Sequence, residues 1–109
     1  MASGITQSNL NKTTKLIPLF IYAALIVDDN SINRIVLKGH LGLCGCLFDE
    51  ASSAPEALEK LKKAQAQGSL FDCAIIDMSM PVMTGEQLAE EIKKDPAIAD
   101  TPLIMLTSI

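Results

Sequence analysis

Three short apolar runs along the chain each stop at an oxygen-bearing side chain. Ala24-Leu25-Ile26-Val27 stops at Asp28-Asp29, Ala74-Ile75-Ile76 at Asp77, and Leu103-Ile104-Met105-Leu106 at Thr107. Runs this short and this uniformly apolar predict strands buried on both faces, as in a parallel sheet. Between them the apolar positions take helical spacing. Asn30 or Ser31 can cap a helix running to Leu43, with Ile32, Ile35, Val36, Gly39 and Leu43 on one face, and Gly42 and Gly45 break it. Cys46 to Ala51 reads as a weaker strand. Ser53-Ala54-Pro55-Glu56 is a capping box with proline in the first turn, opening a helix whose buried stripe is Ala57, Leu58, Leu61 and Ala64 and which Gly68 ends. Cys73 to Ile76 is the next strand. Thr84-Gly85-Glu86-Gln87 is a second capping box, before a helix that turns Leu88, Ala89 and Ile92 inward and ends near Asp95-Pro96. Leu103 to Leu106 is the fourth strand.

Strand and helix in alternation predict an α/β fold, a doubly wound parallel sheet. In such sheets ligands gather just outside the carboxyl ends of the strands. Asp28, Asp29, Asp77 and Thr107 would therefore meet at one edge. Three clustered carboxylates repel one another and call for a cation among them. Magnesium takes oxygen ligands, keeps several waters and commonly combines one or two carboxylates with a phosphate oxygen, so it suits this set better than zinc. The third carboxylate is then free to react.

The 109 residues make one small domain, and 49 % hydrophobic content suffices for a single core. The net charge is −4 and the nine Lys and Arg are dispersed, which leaves no basic face for nucleic acid or an anionic membrane. Leu16 to Val27 follows Lys12 and Lys15 and superficially resembles a signal peptide, but the run is too short to span a bilayer and contains Pro18. Its last part is also needed as the strand carrying Asp28. Residues 1–22 read as a linker-like lead-in: Met1 to Lys15 has a polar composition in which disorder is expected, and Leu16 to Tyr22 is apolar. Cys44, Cys46 and Cys73 are odd in number and lack a second ligand pair at metal spacing, so they read as reduced cytoplasmic thiols, buried or half-buried. His40 reads as a packed or surface histidine. Neither Gly-x-Gly-x-x-Gly nor a P-loop occurs.

Three stretches together resemble a known family. They are Ala24-Leu25-Ile26-Val27-Asp28-Asp29-Asn30-Ser31-Ile32-Asn33-Arg34, Ile76-Asp77-Met78-Ser79-Met80-Pro81-Val82-Met83-Thr84-Gly85, and Pro102-Leu103-Ile104-Met105-Leu106-Thr107-Ser108. In order and spacing they are similar to the receiver (response-regulator) domains of two-component signalling, particularly those of hybrid histidine kinases, over residues 23–109. The resemblance implies a flavodoxin-like sheet of strand order 2-1-3-4. It implies Asp77 as phosphoacceptor, taking a phosphoryl group from a phosphohistidine on a histidine kinase or histidine phosphotransfer protein. Asp28, Asp29, Asp77 and the backbone carbonyl of Ser79 would hold Mg2+, and Thr107 would hydrogen-bond the phosphoryl group and draw its loop inward as a switch. Pro81 and Gly85 would shape the loop after Asp77.

The family pattern also has a lysine at the end of a fifth strand, and no candidate follows Thr107. The resemblance therefore implies a truncated receiver without its fifth strand and last helices. Leu103 to Leu106 would then be an unprotected edge, met by a homodimer, by strand exchange, or by coverage from Leu16 to Tyr22. Two rival readings differ in class. A haloacid-dehalogenase-type aspartyl phosphatase would show Asp-x-Asp and a cap domain, which this chain lacks; an interaction-only receiver would bind partners with little or no phosphotransfer.

Overall fold

The structure is a computed structural model, and it describes residues 23–107. The lead-in, with Leu16 to Tyr22, lies outside the described residues. The elements alternate as the periodicity predicts: β1 (Ala23–Val27), α1 (Ser31–Leu43), β2 (Leu47–Ala51), α2 (Ala54–Ala66), β3 (Cys73–Asp77), α3 (Gly85–Lys94) and β4 (Leu103–Leu106). All four strands are parallel, in the order β2-β1-β3-β4. The two central strands are the apolar ones, since a strand flanked on both edges and both faces has no polar surface to meet. Every residue of β3 is buried, whereas β2, at the edge, exposes Leu47, Phe48 and Asp49.

Each helix starts where its cap dictates. Asn30 accepts from the Ile32 and Asn33 amides, so Asn30, and not Ser31, caps α1. Thr84 and Gln87 form the full reciprocal box at α3. At α2 only half of the expected box forms. The Ser53 hydroxyl accepts from the Glu56 amide, but the Glu56 carboxylate reaches one residue further, to the amide and hydroxyl of Ser52. Gly68 closes α2 at φ 74°, a conformation that costs a residue with a Cβ.

Side-chain alternation divides the sheet into two unequal faces. On one, Leu25, Val27, Ala51, Ala74 and Ile76 pack with Ala57 and Leu61 of α2 and Leu88 and Ile92 of α3, and Leu103 and Met105 of β4 join them. On the other, Ala24, Cys46, Cys73 and Ile75 pack, among the described residues, against Leu37 and Leu41 of α1. A helix is about 10 Å wide and strands lie about 4.8 Å apart, so one helix covers roughly two strands. The β4 residues on that face, Ile104 and Leu106, stay 42 % and 37 % exposed.

The apolar stripe of α1 forms one face, but among the described residues that face is open. Ile32, Ile35, Val36 and Leu43 are all more than half exposed, and α1 buries no residue completely. The roll of the helix accounts for this. Arg34 and Lys38 both pair with Glu50 on β2, at 2.8 and 2.9 Å, which turns Leu37 and Leu41 onto the sheet and the stripe away from it. The three cysteines are free, with Cys46 and Cys73 buried as expected and Cys44 exposed in the turn after α1. Burial pushes the Cys73 thiol up to about 11, which makes it a small core residue of low reactivity.

This division of labour is measurable. Leu88→Ala is expected to cost about 2 to 5 kcal/mol in urea unfolding, as a fully buried leucine does, whereas Ile35→Ala is expected to change stability by less than about 0.5 kcal/mol. A loss at Ile35 as large as that at Leu88 would mean that the stripe is covered in solution.

Candidate functional site

The register of the sheet sets the site. Val27 is level with Ile76, so Asp28 follows at the height of Asp77, and Asp77 is in turn level with Leu106, which places Thr107 one step beyond. Alternation puts Asp77 on the same face as Cys73 and Ile75, the face that α1 only half covers. Asp28, Asp29 and Asp77 each offer a carboxylate oxygen, and these oxygens all lie within 4.8 Å of one another. Asp28 and Asp77 are 4 % and 5 % exposed; Asp29 is open to solvent. Among the described residues this is the one group of three or more His, Cys, Asp or Glu side chains close enough to share an ion, and the cysteines form none.

Neutral donors hold the buried acids. The Asn30 amide donates to Asp28 Oδ1 at 2.9 Å and the Asn33 side-chain amide to Asp28 Oδ2 at 3.2 Å. The Ser79 amide donates to Asp77 Oδ1 at 3.2 Å. Ser79 thus reaches the site through its N–H, a link that sequence reasoning, which named only its carbonyl, did not anticipate. Beneath the loop, Arg34 Nη1 donates to the backbone carbonyl of Asp28 at 2.7 Å while its Nε holds Glu50. The hydrogen bonds from Lys38 and Arg34 keep the Glu50 carboxyl below its ordinary range. Asn33 and Arg34 lie in the first receiver-like stretch without a role being legible there, and Glu50 carries no signal that separates it from a solvated strand edge in the sequence alone.

A cleft of about 460 Å3 opens beside these acids between α1 and β4, with Asp28, Asn33 and Asp77 on its polar side, Val36, Leu37 and Leu106 on its apolar side, and Thr107 completing the wall. No cationic side chain lines it among the described residues. The loop after Asp77 is tightly built. The Met78 amide extends the ladder to the Leu106 carbonyl at 2.9 Å, and the Gly85 amide returns to the Met78 carbonyl at 3.1 Å. A Cβ at Gly85 would collide with the Asp77 carbonyl oxygen and lie 2.7 Å from the Met78 Cα. Pro81 and Met83 close a γ-turn through a 2.7 Å hydrogen bond, with Val82 fully exposed at φ 69°, a strained position for a β-branched residue.

The donor set suits a hard divalent ion. Magnesium binds oxygens at about 2.0–2.1 Å, so opposite ligands of one ion lie roughly 4 Å apart, and the three oxygens here already lie within 4.8 Å of one another. The ligands are all carboxylates, without the nitrogen or sulfur that zinc prefers.

The fold has a counterpart among known proteins. A family model described as the response regulator receiver domain matches residues 24–109. The chain belongs to this receiver family. It is 33 % identical over 87 residues to the sensor histidine kinase CheAY of Helicobacter pylori, covering 80 % of this chain and 10 % of that protein. It is 37 % identical over 70 residues to hybrid signal transduction histidine kinase L of Dictyostelium discoideum, covering 64 % of this chain and 4 % of that one. The chain thus spans a small part of these relatives. Among solved receivers, the N-terminal domain of a response regulator receiver protein from Methanoculleus marisnigri superposes with a TM-score of 0.71 at 34 % identity, over 81 % of this chain and 68 % of that one. The receiver domain of the histidine kinase CKI1 from Arabidopsis thaliana, solved with Mg2+ and BeF3−, gives a TM-score of 0.71 at 32 % identity, over 79 % of this chain and 65 % of that one. Among the described residues of the receiver, no helix is long and apolar enough to cross a membrane.

The crowding at Gly85 yields a local test. Gly85→Ala is expected to destabilise the fold by about 1 to 3 kcal/mol, because the methyl group meets backbone that carries Asp77 and cannot swing aside. Amide chemical shifts of Asp77 and Met78 should move in the same variant; an unchanged melting temperature and spectrum would refute the close approach.

Proposed function

We propose that residues 23–109 are a phosphoacceptor receiver of a two-component phosphorelay, with residues 1–22 as a lead-in, and that Asp77 accepts the phosphoryl group from a phosphohistidine on a histidine kinase or histidine phosphotransfer protein. The observation that carries this reading is the meeting of three carboxylates at one strand-end cleft with a hydroxyl in its wall. An Asp77 oxygen attacks phosphorus, a P–O bond forms, the P–N bond breaks, and its electron pair stays on the departing imidazole. Asp28, Asp29 and Asp77, with the Ser79 carbonyl, are the residues that would hold Mg2+. Bound there, the ion offsets the charge of an anion approaching an anion. Thr107 would hydrogen-bond a phosphoryl oxygen afterwards, and the Ser79 amide, already directed at Asp77, keeps the acceptor oriented. The compartment that fits is the cytoplasm, where free thiols such as Cys44 stay reduced, alone or as part of a larger sensor kinase.

Without a lysine in the cleft wall, one charge-assisted contact to the phosphoryl group is missing from the described residues, and such a contact is commonly worth roughly 2 to 4 kcal/mol in the transition state. Labelling of the 109-residue chain is therefore expected to be slow, and an interaction-only receiver is the limit of this behaviour. Millimolar Mg2+ should shift NMR signals of Asp28, Asp29 and Asp77, and beryllium fluoride should give a bound 19F signal that depends on the metal. Asp77→Asn should abolish the latter. Metal-independent signals, or an Asp77→Asn chain that labels as well as the parent, would refute the assignment, and full family-like rates would show that the lysine contact is dispensable.

The β4 edge supports a homodimer as well. Among the described residues β4 hydrogen-bonds only to β3, which leaves one row of backbone groups unpaired beside exposed Ile104 and Leu106. Light scattering should show mass rising with concentration, and Ile104→Lys should return the chain to a monomer. A strictly monomeric parent at all concentrations would exclude pairing at this edge.

A further inference from the structure

We infer that Arg34 is a positioning residue for the acidic site, acting through the peptide between Asp28 and Asp29; the inference rests on the metal-binding reading of that site. Asp29 is the one member of the triad whose carboxylate has no hydrogen-bond donor among the described residues, and it is exposed. Among the described residues no donor aims its side chain at Asp28 and Asp77, so what directs it there is its own backbone. That backbone is clamped on both sides. Before Asp29, Arg34 Nη1 holds the Asp28 carbonyl at 2.7 Å; after it, the Asn30 amide is bound to Asp28 Oδ1 at 2.9 Å. Together the two bonds fix the peptide planes that flank Asp29.

Arg34 can serve as this clamp because its own position is set independently of the loop. Its Nε pairs with Glu50 Oε1 at 2.8 Å, Glu50 sits in β2 level with Ile26, and the other Glu50 oxygen is held by Lys38 at 2.9 Å. The Arg34 side chain is only 17 % exposed, and its rigid planar fork presents two N–H directions at once, one to the strand and one to the loop. Lysine cannot supply that geometry. The cation is also bonded to a carbonyl and to Glu50, and to none of the three site carboxylates, so it orients the site without occupying it.

Three roles for Arg34 predict different outcomes in one experiment, a magnesium titration followed by NMR on the full chain. If Arg34 positions Asp29, both Arg34→Gln and Arg34→Lys weaken magnesium binding by roughly tenfold or more, the usual cost of losing a group that orients a ligand. If it acted only as a nearby positive charge, Arg34→Gln would tighten binding and Arg34→Lys would leave it unchanged. If it only supported the fold, the melting temperature would fall and the affinity would not. The decisive measurement is the double variant. In an Asp29→Asn background, Arg34→Lys should have little further effect on affinity, because the side chain it orients no longer carries the charge. Equal losses in both backgrounds would overturn the inference, as would unchanged affinity in Arg34→Lys. Because Arg34→Lys keeps the charge, it carries the test should Arg34→Gln fail to fold. A parent chain that does not respond to magnesium would overturn the site reading itself, and the inference with it; a responding parent with an unaffected Arg34→Lys overturns the inference alone.

Discussion

The structure depends on holding three carboxylates within 4.8 Å of one another before any ion offsets their charge. Two like charges at such a distance cost on the order of 1 kcal/mol in water and several times more in a partly buried setting. The sheet meets this cost through its register. Asp28 and Asp77 are not carried on mobile loops but follow directly from β1 and end β3, two adjacent strands that are buried along almost their whole length. Separating the two acids would require pulling apart the central ladder and the core beneath it. The hydrophobic burial of Leu25, Ile26, Ile76 and Leu88 therefore maintains the electrostatic arrangement at the strand ends.

The same parallel topology explains why the site is accessible. A parallel sheet needs cover on both faces, and among the described residues α2 and α3 close one face while α1 alone lies on the other. The half left open lies over β3 and β4, beside Asp77 and Thr107, where the cleft forms. Apolar walls from Val36, Leu37 and Leu106 reduce the local dielectric constant around the acids, which strengthens any interaction they make with an ion or a phosphoryl group. Among the described residues, an open approach and apolar walls thus meet at one cleft, beside the acids between α1 and β4.

Much of this was legible in the residues. β3 and β4 could be placed because an unbroken apolar run has few alternatives, and the α3 start because Thr84 and Gln87 each satisfy the other's donor. The triad was legible because strands of this kind end at a common edge. What could not be read was orientation. The stripe on α1 has helical spacing, but spacing does not say which face meets the sheet, and that was decided by Arg34 and Lys38 converging on Glu50 from 16 and 12 residues away. The Glu56 arm of the α2 cap went to Ser52, because Ser52 offers both an amide and a hydroxyl to the same oxygen. Likewise, the resemblance names the Ser79 carbonyl as a metal ligand but not the bond that its amide donates to the Asp77 carboxylate.

The choice of donors around the acids is itself informative. A carboxylate in a buried site can be stabilised by a cation or by neutral N–H groups, and the two have opposite consequences. A lysine or arginine bonded to Asp28 would satisfy it fully and compete with any incoming ion, whereas backbone amides and an asparagine satisfy its lone pairs but leave its charge uncompensated. The observed donors, from Asn30, Asn33 and Ser79, are all of the neutral kind. The nearest bonded cation, Arg34, is directed to a carbonyl, and its charge is met by Glu50. A fold selected only for stability would gain by turning that guanidinium onto the carboxylates. Its diversion to the backbone leaves the triad with no bonded cation, so the oxygens that face the cleft stay open to a small metal ion.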